Sequence, residues 1–286
     1  MKGDPALLQR PALAMVGARS ASPQGIANAE AFARSLAEAG FIIVSGLALG
    51  IDAAAHRGAL AARREASTGV TIAVIGTGAD RIYPASNATL AREIAVSGVI
   101  VSEFPLTTPP KRQNFPRRNR LIAGLTRGVL VVEAALGSGS LITARLAAES
   151  GREVFAIPGS IHSPLARGCH HLIRQGAKLV ETAEDILEEI ATAQERAAIP
   201  RTTSSPSRPA RPARKPAPQP SLPLPELSME ATRVLDALGD ETGDIDTLAT
   251  TTGLTIDALY AILLPLELEG VVARLAGGRF QRVRVM

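Results

Sequence analysis

Short apolar runs alternate with amphipathic stretches along the first 157 residues, and this alternation restricts the possible folds more than any other feature of the chain. Within these runs apolar and polar residues do not alternate, as Phe41-Ile42-Ile43-Val44 illustrates. Strands covered by helices on both faces, as in parallel sheets, show this pattern. The predicted strands are 12–16, 41–44, 70–75, 99–102, 129–132 and 153–157, and the predicted helices are 23–39, 51–64, 87–95, 118–125 and 141–150. The sequence therefore predicts a parallel, doubly wound α/β sheet.

Composition divides the chain into three regions. Residues 1–195 contain the alternating pattern and end in a predicted helix over 182–193, where Thr182 and Asp185 have the spacing of a capping box. Residues 196–225 carry six basic and no acidic side chains, and nine prolines fall between Pro200 and Pro225. Because such a segment has almost nothing apolar to bury, it is typical of an extended linker. We expect a separate domain over 226–286.

The C-terminal region follows a different pattern. The predicted helices are 230–238, 246–251 and 256–269, and the strand-like runs are 271–275 and 279–285. Gly277 and Gly278 separate the two runs as a turn. Helix, short helix, turn, helix and hairpin predict a small winged-helix domain. Pro265 is expected to kink or shorten the third helix.

The net charge of +4 conceals a segregation of charge along the chain. Residues 1–195 carry 20 basic and 17 acidic side chains, whereas residues 226–269 carry one basic and ten acidic side chains. Residues 270–286 carry four arginines and no acid. Helices this acidic repel a phosphate backbone, so we expect the winged helix to face protein, with its hairpin as the part suited to phosphate.

Cysteine usage and hydropathy restrict the location of the protein. Cys169 is the single cysteine, which excludes an internal disulfide and indicates a reducing compartment. The sequence has no apolar run of about 18 residues, and no apolar signal segment follows Met1. These features predict a cytoplasmic protein with no membrane contact.

Four loops that contain glycine follow predicted strands. Ligands of open α/β sheets bind beyond the carboxyl ends of the strands, where small residues let backbone N–H groups approach an anion. The loops are 17–20, 45–52, 76–80 and 137–140. None completes the G-x-G-x-x-G fingerprint or a Walker A motif, so the sequence predicts neither a dinucleotide nor a P-loop nucleotide. The glycines could instead serve only tight turns and close packing.

A basic run from Lys111 to Arg120 is the strongest electrostatic feature. Residues 104–132 carry six basic and no acidic side chains. Arginine forks suit phosphates, and release of counterions makes such contacts the main source of affinity for nucleic acids. Phe115 lies within the run and could stack on an unpaired base, and Tyr83 is a second candidate. The alternative is a solvated basic loop with Phe115 in the core.

The sequence argues against catalysis and metal binding. Neither G-x-S-x-G nor H-E-x-x-H is present, and the four histidines are not spaced as a metal site. The carboxylates that follow strands, Asp52, Asp80, Glu103 and Glu133, are expected to cap helices and turns. His56 is expected to pair with Asp52 on one helical face. We predict no catalytic residue, no metal and no cofactor.

Six segments in fixed order resemble the DNA-processing protein A family (DprA, also called Smf). They are AMVGAR (14–19), SGLALGIDAAAH (45–56), IGTGAD (75–80), FPRRNRLIAGL (115–125), SGSLITA (138–144) and GREVFAIPG (151–159). The resemblance implies an extended Rossmann-like domain followed by a winged-helix module. It also implies a protein without enzymatic activity that binds single-stranded DNA, forms a homodimer and brings the recombinase RecA onto incoming DNA in natural transformation.

The resemblance and the charge pattern point to the same residues. The residues that contact a single strand in the family correspond in this chain to Arg19 and to Lys111 or Arg112, and the resemblance implies Phe115 as a base contact. The full set of expected DNA contacts is Arg19, Ser45, Gly46, Gly50, Gly76, Gly78, Lys111, Arg112, Asn114, Phe115, Arg117, Arg118, Asn119, Arg120, Gly137, Ser138, Gly139 and Ser140.

The chain departs from the family in two informative places. Leu49 stands where the family usually has arginine, which is expected to remove one phosphate contact. Many members carry an N-terminal helical domain, whereas Met1 lies close to the first predicted strand. A shorter architecture or a late-assigned start would explain this.

A Rossmann-like nucleotide-processing hydrolase of the phosphoribohydrolase type is the alternative function. Those enzymes carry a catalytic glutamate in a P-G-G-x-G-T-x-x-E loop. The comparable loop here, 137–143, contains no acid, which argues against that chemistry.

Overall fold

The structure is a computed structural model that describes residues 1–66, 71–191, 229–239, 242–275 and 278–283, with only the backbone at 63–66. The chain forms two compact units, Met1–Ile199 with Arg284–Met286, and Pro200–Val283. The linker expected at 196–225 lies outside the described residues, and the exact domain boundaries stay a prediction.

The first unit is built on an eight-stranded sheet. Its strands are β1 (Lys2–Gly3), β2 (Ala12–Val16), β3 (Ile42–Ser45), β4 (Thr71–Val74), β5 (Val99–Val101), β6 (Gly128–Val131), β7 (Glu153–Ala156) and β8 (Lys178–Leu179). They lie in the order β1-β5-β4-β3-β2-β6-β7-β8, and only β1 runs antiparallel to its neighbour. The chain moves outward from β2 to β5 and then returns to place β6 on the other side of β2. This reversal confirms the predicted Rossmann-like, doubly wound, mostly parallel sheet and puts its switch point between β2 and β6.

Helices cover both faces of this sheet. They are α1 (Pro23–Glu38), α2 (Ile51–Ala66), α3 (Ala88–Ser97), α4 (Asn114–Gly124), α5 (Ser140–Glu149), α6 (Arg167–Arg174) and α7 (Ala183–Ile190). Leu13 and Met15 of β2 pack in the core formed with α1, α2 and α7, whereas Ala14 and Val16 pack in the core formed with α4, α5 and α6. Because successive strand residues face opposite cores, both need to be apolar, which explains the uninterrupted apolar runs.

Two helices differ from the sequence prediction. α4 begins at Asn114 rather than at residue 118, because Pro116 lies in the first turn, where the missing N–H would have no intrahelical acceptor. The basic run is therefore partly helical. α6 was not predicted because Gly168 lowers its helix propensity, yet a side chain at Gly168 would overlap the carbonyl of Ala134.

The second unit is a winged helix, as predicted. Its elements are α8 (Met229–Leu238), β9 (Thr242–Asp244), α9 (Ile245–Thr252), α10 (Ile256–Leu268), β10 (Val272–Leu275) and β11 (Arg279–Arg282). The strands form an antiparallel sheet in the order β10-β11-β9. The side chains of Asp244 and Thr255 cap α9 and α10 by accepting hydrogen bonds from backbone N–H groups. α10 continues through Pro265, so the expected shortening is wrong. β9 was missed because a three-residue strand has no periodic signal.

No single described helix is long and apolar enough to cross a bilayer. α9 and α10, bent by 109° at their junction, reach that length and apolarity only as a pair.

Candidate nucleic-acid interface

A cavity of about 660 Å³ opens at the switch point of the sheet. Loops after β2, β3, β4, β5 and β6 and the helices α2, α4 and α5 contribute its walls. Lining residues include Arg19, Tyr83, Arg112, Phe115, Ser138 and Ser140. The structure thus brings together parts of the glycine loops and of the basic run, although they are far apart in the sequence. We call this space the switch-point cavity.

Two aromatic rings and one guanidinium form a stacked cluster at the cavity. The ring centroids of Tyr83 and Phe115 lie 5.6 Å apart with an interplanar angle of 38°. The guanidinium carbon of Arg19 lies 5.7 Å from the centroid of Phe115, within cation–π distance. Gly76 makes this position of Phe115 feasible, since a Cβ there would lie 2.9 Å from Phe115 Cδ1. Phe115 is partly exposed and lines the cavity, so its ring is not fully enclosed in the core.

Arg118 points inward from the same helix. Its guanidinium is buried against Gly46, and its Nη1 donates a hydrogen bond to the carbonyl of Val74 at the end of β4. Burial lowers the pKa of Arg118 to about 10, and the carboxylate of Asp52 acts in the opposite direction. Burial likewise raises the pKa of Asp52, although the charge of Arg118 opposes the shift. Arg118 therefore positions α4 on the sheet instead of presenting its charge to solvent.

The loop after β3 uses its polar groups internally. Ser45 Oγ donates to the carbonyl of Met15 at 2.6 Å, and the N–H of Gly46 donates to Asp52 Oδ2 at 3.2 Å. Gly50 has a φ of +70°, and a side chain there would overlap the carbonyl of Ala18. Ser45 and Gly46 were expected to contact DNA, but the structure gives both of them internal partners. Leu49 is exposed beside Ala48, which lines the cavity.

The loop after β4 is also tied down. Asn114 is buried and its Nδ2 donates to the carbonyl of Gly76 at 3.0 Å. The N–H of Gly78 donates to the carbonyl of Thr108 at 3.0 Å. These contacts hold the start of α4 against the end of β4. Gly76 and Asn114 therefore support Phe115, and Gly78 is tied to the loop after β5.

A carboxylate occupies the N-terminus of α1. The N–H and hydroxyl of Ser22 donate to the two carboxylate oxygens of Glu133, at 2.9 and 2.5 Å. Gly25 leaves room for that carboxylate, because any Cβ there would overlap it. Burial raises the pKa of Glu133, and the hydrogen bonds from Ser22 oppose this shift. In dinucleotide-binding folds the first helix N-terminus holds a pyrophosphate, so Glu133 fills the position where that anion would bind.

The loop before α5 is more open. A Cβ placed on Gly137 or Gly139 would meet no atom within 4 Å, and the first turn of α5 contains no acid. Ser138 Oγ and Ser140 Oγ lie 2.6 Å apart, and Asn119 Nδ2 donates to the carbonyl of Gly139. A helix N-terminus without a carboxylate is favourable for an anion. The starts of α4 and α5 are therefore more favourable for an anion than the starts of α1 and α2, where carboxylates lie.

Four basic side chains remain on the surface of the basic run. Lys111 and Arg112 are exposed just before α4, and Arg117 is exposed on its first turns. Arg120 is exposed but pairs with Glu103 through its Nη2. The pairing reduces the charge that Arg120 can offer to a ligand. Of the expected basic contacts, Arg19 and Arg112 are exposed and line the switch-point cavity, while Lys111 and Arg117 are exposed elsewhere in the basic run.

The remaining titratable groups near the sheet have structural partners. Asp80 accepts from the N–H of Thr107. His56 Nδ1 contacts Thr71 Oγ1 at 2.7 Å rather than Asp52, so the expected helical pair is wrong. The hydroxyl of Thr71 donates to the carbonyl of Ile43, which leaves the ring proton on Nδ1 of His56. Burial lowers the pKa of His56 to about 3, so the ring is neutral. Within the described residues, no three His, Cys, Asp or Glu side chains come together as a metal site.

The fold and the site define a Rossmann-like α/β protein with a basic, aromatic cavity at its switch point and a winged helix as a second unit. The profile of the DNA recombination-mediator protein A family matches residues 1–191, and that of the DprA winged helix domain matches residues 215–278. The chain belongs to the DNA recombination-mediator protein A family, which confirms the resemblance seen in the sequence motifs.

Similar proteins come from several bacteria. Protein Smf of Escherichia coli K12 is 45% identical over 268 residues, which are 93% of this chain and 66% of that protein. DNA processing protein DprA of Streptococcus pneumoniae is 50% identical over 188 residues, 66% of this chain and 64% of its own length. The chain thus spans just under two thirds of these two relatives.

Two solved structures share the fold of the first unit. The crystal structure of the Streptococcus pneumoniae protein matches with a TM-score of 0.63 and 50% identity, over 67% of this chain and 65% of that one. DNA processing protein A of Helicobacter pylori matches with a TM-score of 0.59 and 33% identity, over 65% of this chain and 83% of that one. The Helicobacter pylori structure is described as showing a single-stranded DNA binding mode.

Proposed function

We propose that the switch-point cavity binds single-stranded DNA. The observation that carries this proposal is the cluster of Tyr83, Phe115 and Arg19, because base stacking on aromatic rings combined with a cationic rim is the usual way to hold an unpaired strand. The single-stranded DNA binding mode described for the Helicobacter pylori protein supports it.

Charge would provide most of the affinity. Arg112 lines the cavity, Lys111 and Arg117 are exposed in the same basic run, and the loop 137–140 leads into a helix N-terminus without an acid. Phosphates of a flexible strand would follow this side of the cavity, while Phe115 stacks on one base. Gly50 and Arg118 support the site from beneath.

Binding is the better conclusion than hydrolysis. Among the described residues lining the cavity, Asp52 has the one carboxyl group, and it accepts hydrogen bonds from the loop after β3 and lies beside Arg118. Asp52 is therefore already engaged by backbone N–H groups and by the charge of Arg118, which gives it a role in supporting the loop. An assay for ribose released from nucleoside monophosphates tests the hydrolase alternative, and we expect no release above background.

We further propose a role as a recombination mediator. In this role a homodimer would hold the incoming strand in the cytoplasm and load the recombinase RecA onto it during natural transformation. The family name, recombination mediator, supports the role. Sedimentation of the free protein tests the dimer. RecA filament assembly on a strand already covered by a single-strand binding protein tests the loading.

The proposed strand preference is directly measurable. Fluorescence anisotropy with a labelled oligothymidine and a hairpin duplex of equal length would give both affinities under one salt condition. We expect the single strand to bind at least about tenfold more tightly, because duplex bases are not free to stack on Phe115. Equal affinities would contradict the proposal.

A further inference from the structure

The outer face of α10 carries an apolar stripe. Ile256, Tyr260, Leu264 and Leu268 are spaced by four residues and are 46%, 40%, 59% and 81% exposed. Four-residue spacing places them along one ridge of the helix. The ring of Tyr260 lies 6.3 Å from that of Phe280 in an edge-to-face arrangement, which fixes the middle of the stripe to the core of the unit.

This face lacks the chemistry needed to read duplex DNA. In helix-turn-helix folds the helix after the turn enters the major groove, and α10 holds that position here. Base edges are read by hydrogen-bonding side chains, and along the stripe only the hydroxyl of Tyr260 could form such bonds. α10 contains Asp257 and Glu267 but no lysine or arginine, so phosphates would be repelled.

The surrounding charge selects the kind of partner. The described parts of α8, α9 and α10 carry five acidic side chains, namely Glu230, Asp236, Asp246, Asp257 and Glu267. Arg233 is the single base on these helices, and its Nη2 donates to the carbonyl of Thr252 at 2.9 Å. The arginines of the described hairpin, Arg274, Arg279 and Arg282, lie on β10 and β11, whereas the charged residues of α10 itself are Asp257 and Glu267. An apolar ridge on a helix whose own charges are acidic fits a partner whose apolar side chains are flanked by lysine or arginine.

A second copy of the same face is a poorer occupant. Two stripes packed against each other would bring Asp257 and Glu267 of both copies to one interface. Like charges placed together in this way are destabilising. A basic helix avoids this cost and can pack its own side chains against the four-residue ridge, which favours a crossing angle of about −50°.

We propose that the exposed face of α10 is a docking site for a basic amphipathic helix of a partner protein. The winged helix is then a protein-binding module. The proposal is independent of DNA binding at the switch-point cavity.

The test uses the 286-residue protein with labelled leucine and isoleucine methyl groups. The probe is a synthetic helix of about five turns with leucine at every fourth position and lysine beside it. A second peptide replaces each lysine by glutamate. NMR titration reports which methyl groups respond to each peptide, and anisotropy of the labelled peptide gives the affinity.

We expect the lysine peptide to shift the methyl signals of Ile256, Leu264 and Leu268, and the glutamate peptide to leave them unchanged. The double variant Leu264→Ser with Leu268→Ser should weaken binding by about tenfold or more. Leu106→Ser is the matched control, since Leu106 is an exposed leucine in the sheet unit, and should not change the affinity. All these residues are exposed, so the variants keep the core intact.

Four outcomes would overturn the proposal. Equal binding of the two peptides, or no effect of the double variant, would remove the role of charge or of the stripe. Shifts of the stripe methyl groups with protein concentration, without peptide, would show that a second copy covers the face. Shifts caused by replacing the basic residues within 201–215 with serine, again without peptide, would show that the chain covers its own stripe.

Discussion

The switch-point cavity and the outer face of α10 occupy the positions at which their folds usually bind ligands, yet their chemistry is opposite. The cavity combines Arg19, Phe115 and Tyr83 with exposed basic residues. The α10 face combines exposed Leu264 and Leu268 with acidic neighbours. The difference teaches that the position within a fold does not decide the ligand. Charge and hydrogen-bonding groups at that position do.

A similar contrast exists inside the sheet unit. The first turn of α2 contains Asp52, and the N-terminus of α1 is filled by Glu133. The first turns of α4 and α5 contain no acid. Glu133 accepts from the N–H of Ser22 at the start of α1, and Asp52 accepts from N–H groups of the loop before α2. The starts of α4 and α5 are therefore the more favourable places for a phosphate.

Loss of the aromatic ring is expected to have the largest effect on the cavity. Phe115→Ala removes stacking worth about 1–3 kcal/mol per base, which corresponds to roughly 5- to 150-fold weaker binding of oligothymidine. Phe115→Tyr keeps the ring and should stay close to the wild-type affinity. Anisotropy gives the affinities, and thermal unfolding checks that loss of the contact with Gly76 has not unfolded the unit. An alanine variant that is folded and binds normally would remove Phe115 from the site.

Loss of one phosphate contact is expected to have a smaller effect, which depends on salt. Arg112→Ala should weaken binding several-fold and reduce the slope of log affinity against log salt by about 0.7. Arg92→Ala removes an exposed charge from α3 and serves as the control. If both variants changed the slope equally, net charge rather than the location of Arg112 would explain the binding.

Restoring the arginine that is usual in the family should slightly increase the affinity of the switch-point cavity for single-stranded DNA. Leu49→Arg adds a guanidinium beside Ala48, so we expect affinity to rise a few-fold and the salt slope to steepen by about 0.7. Leu49→Gln has similar length without charge and should match the wild type. An unchanged slope in the arginine variant would mean that the strand does not pass this loop.

The smallest effect is expected from the winged helix. Leu264→Ser with Leu268→Ser should leave oligothymidine affinity within about twofold, because α10 has no group that attracts phosphate. The same anisotropy titration measures this, with the Phe115 variants as the reference for a real loss. A loss of affinity as large as that of Phe115→Ala would show that the α10 face also contacts DNA, and it would contradict the distinction between the two surfaces.

Local features of the sequence predicted much of the fold and part of the site. The apolar runs predicted the strands because each strand faces two cores. The density of positive charge singled out the basic run that contains Arg112 and Phe115, and both residues line the switch-point cavity. Tyr83 was a second candidate, and the structure places it beside Phe115. These features are readable because each depends on residues close together in the chain.

Contacts between residues far apart in the chain could not be predicted from the sequence. Arg118 was expected to contact DNA, but its side chain is buried and interacts electrostatically with Asp52, which lies 66 positions earlier. Such a burial depends on how the whole sheet assembles. Glu133 accepts a hydrogen bond from Ser22 at the start of α1, 111 positions earlier, and this contact also depends on the assembled sheet. The start of α4 at Asn114 also matters, since it turns Phe115 and Arg118 toward the sheet end. The stripe on α10 was readable from its four-residue spacing, but its exposure was not.

Photo-crosslinking with oligothymidine that carries 5-iodouracil tests the central claim most directly. The chain has two tyrosines, and each marks one of the two surfaces: Tyr83 lies at the switch-point cavity and Tyr260 on α10. Mass spectrometry of the crosslinked peptides identifies the contacted residue. We predict crosslinks at Tyr83 or Phe115. Crosslinks at Tyr260, with none at the cavity, would contradict the account.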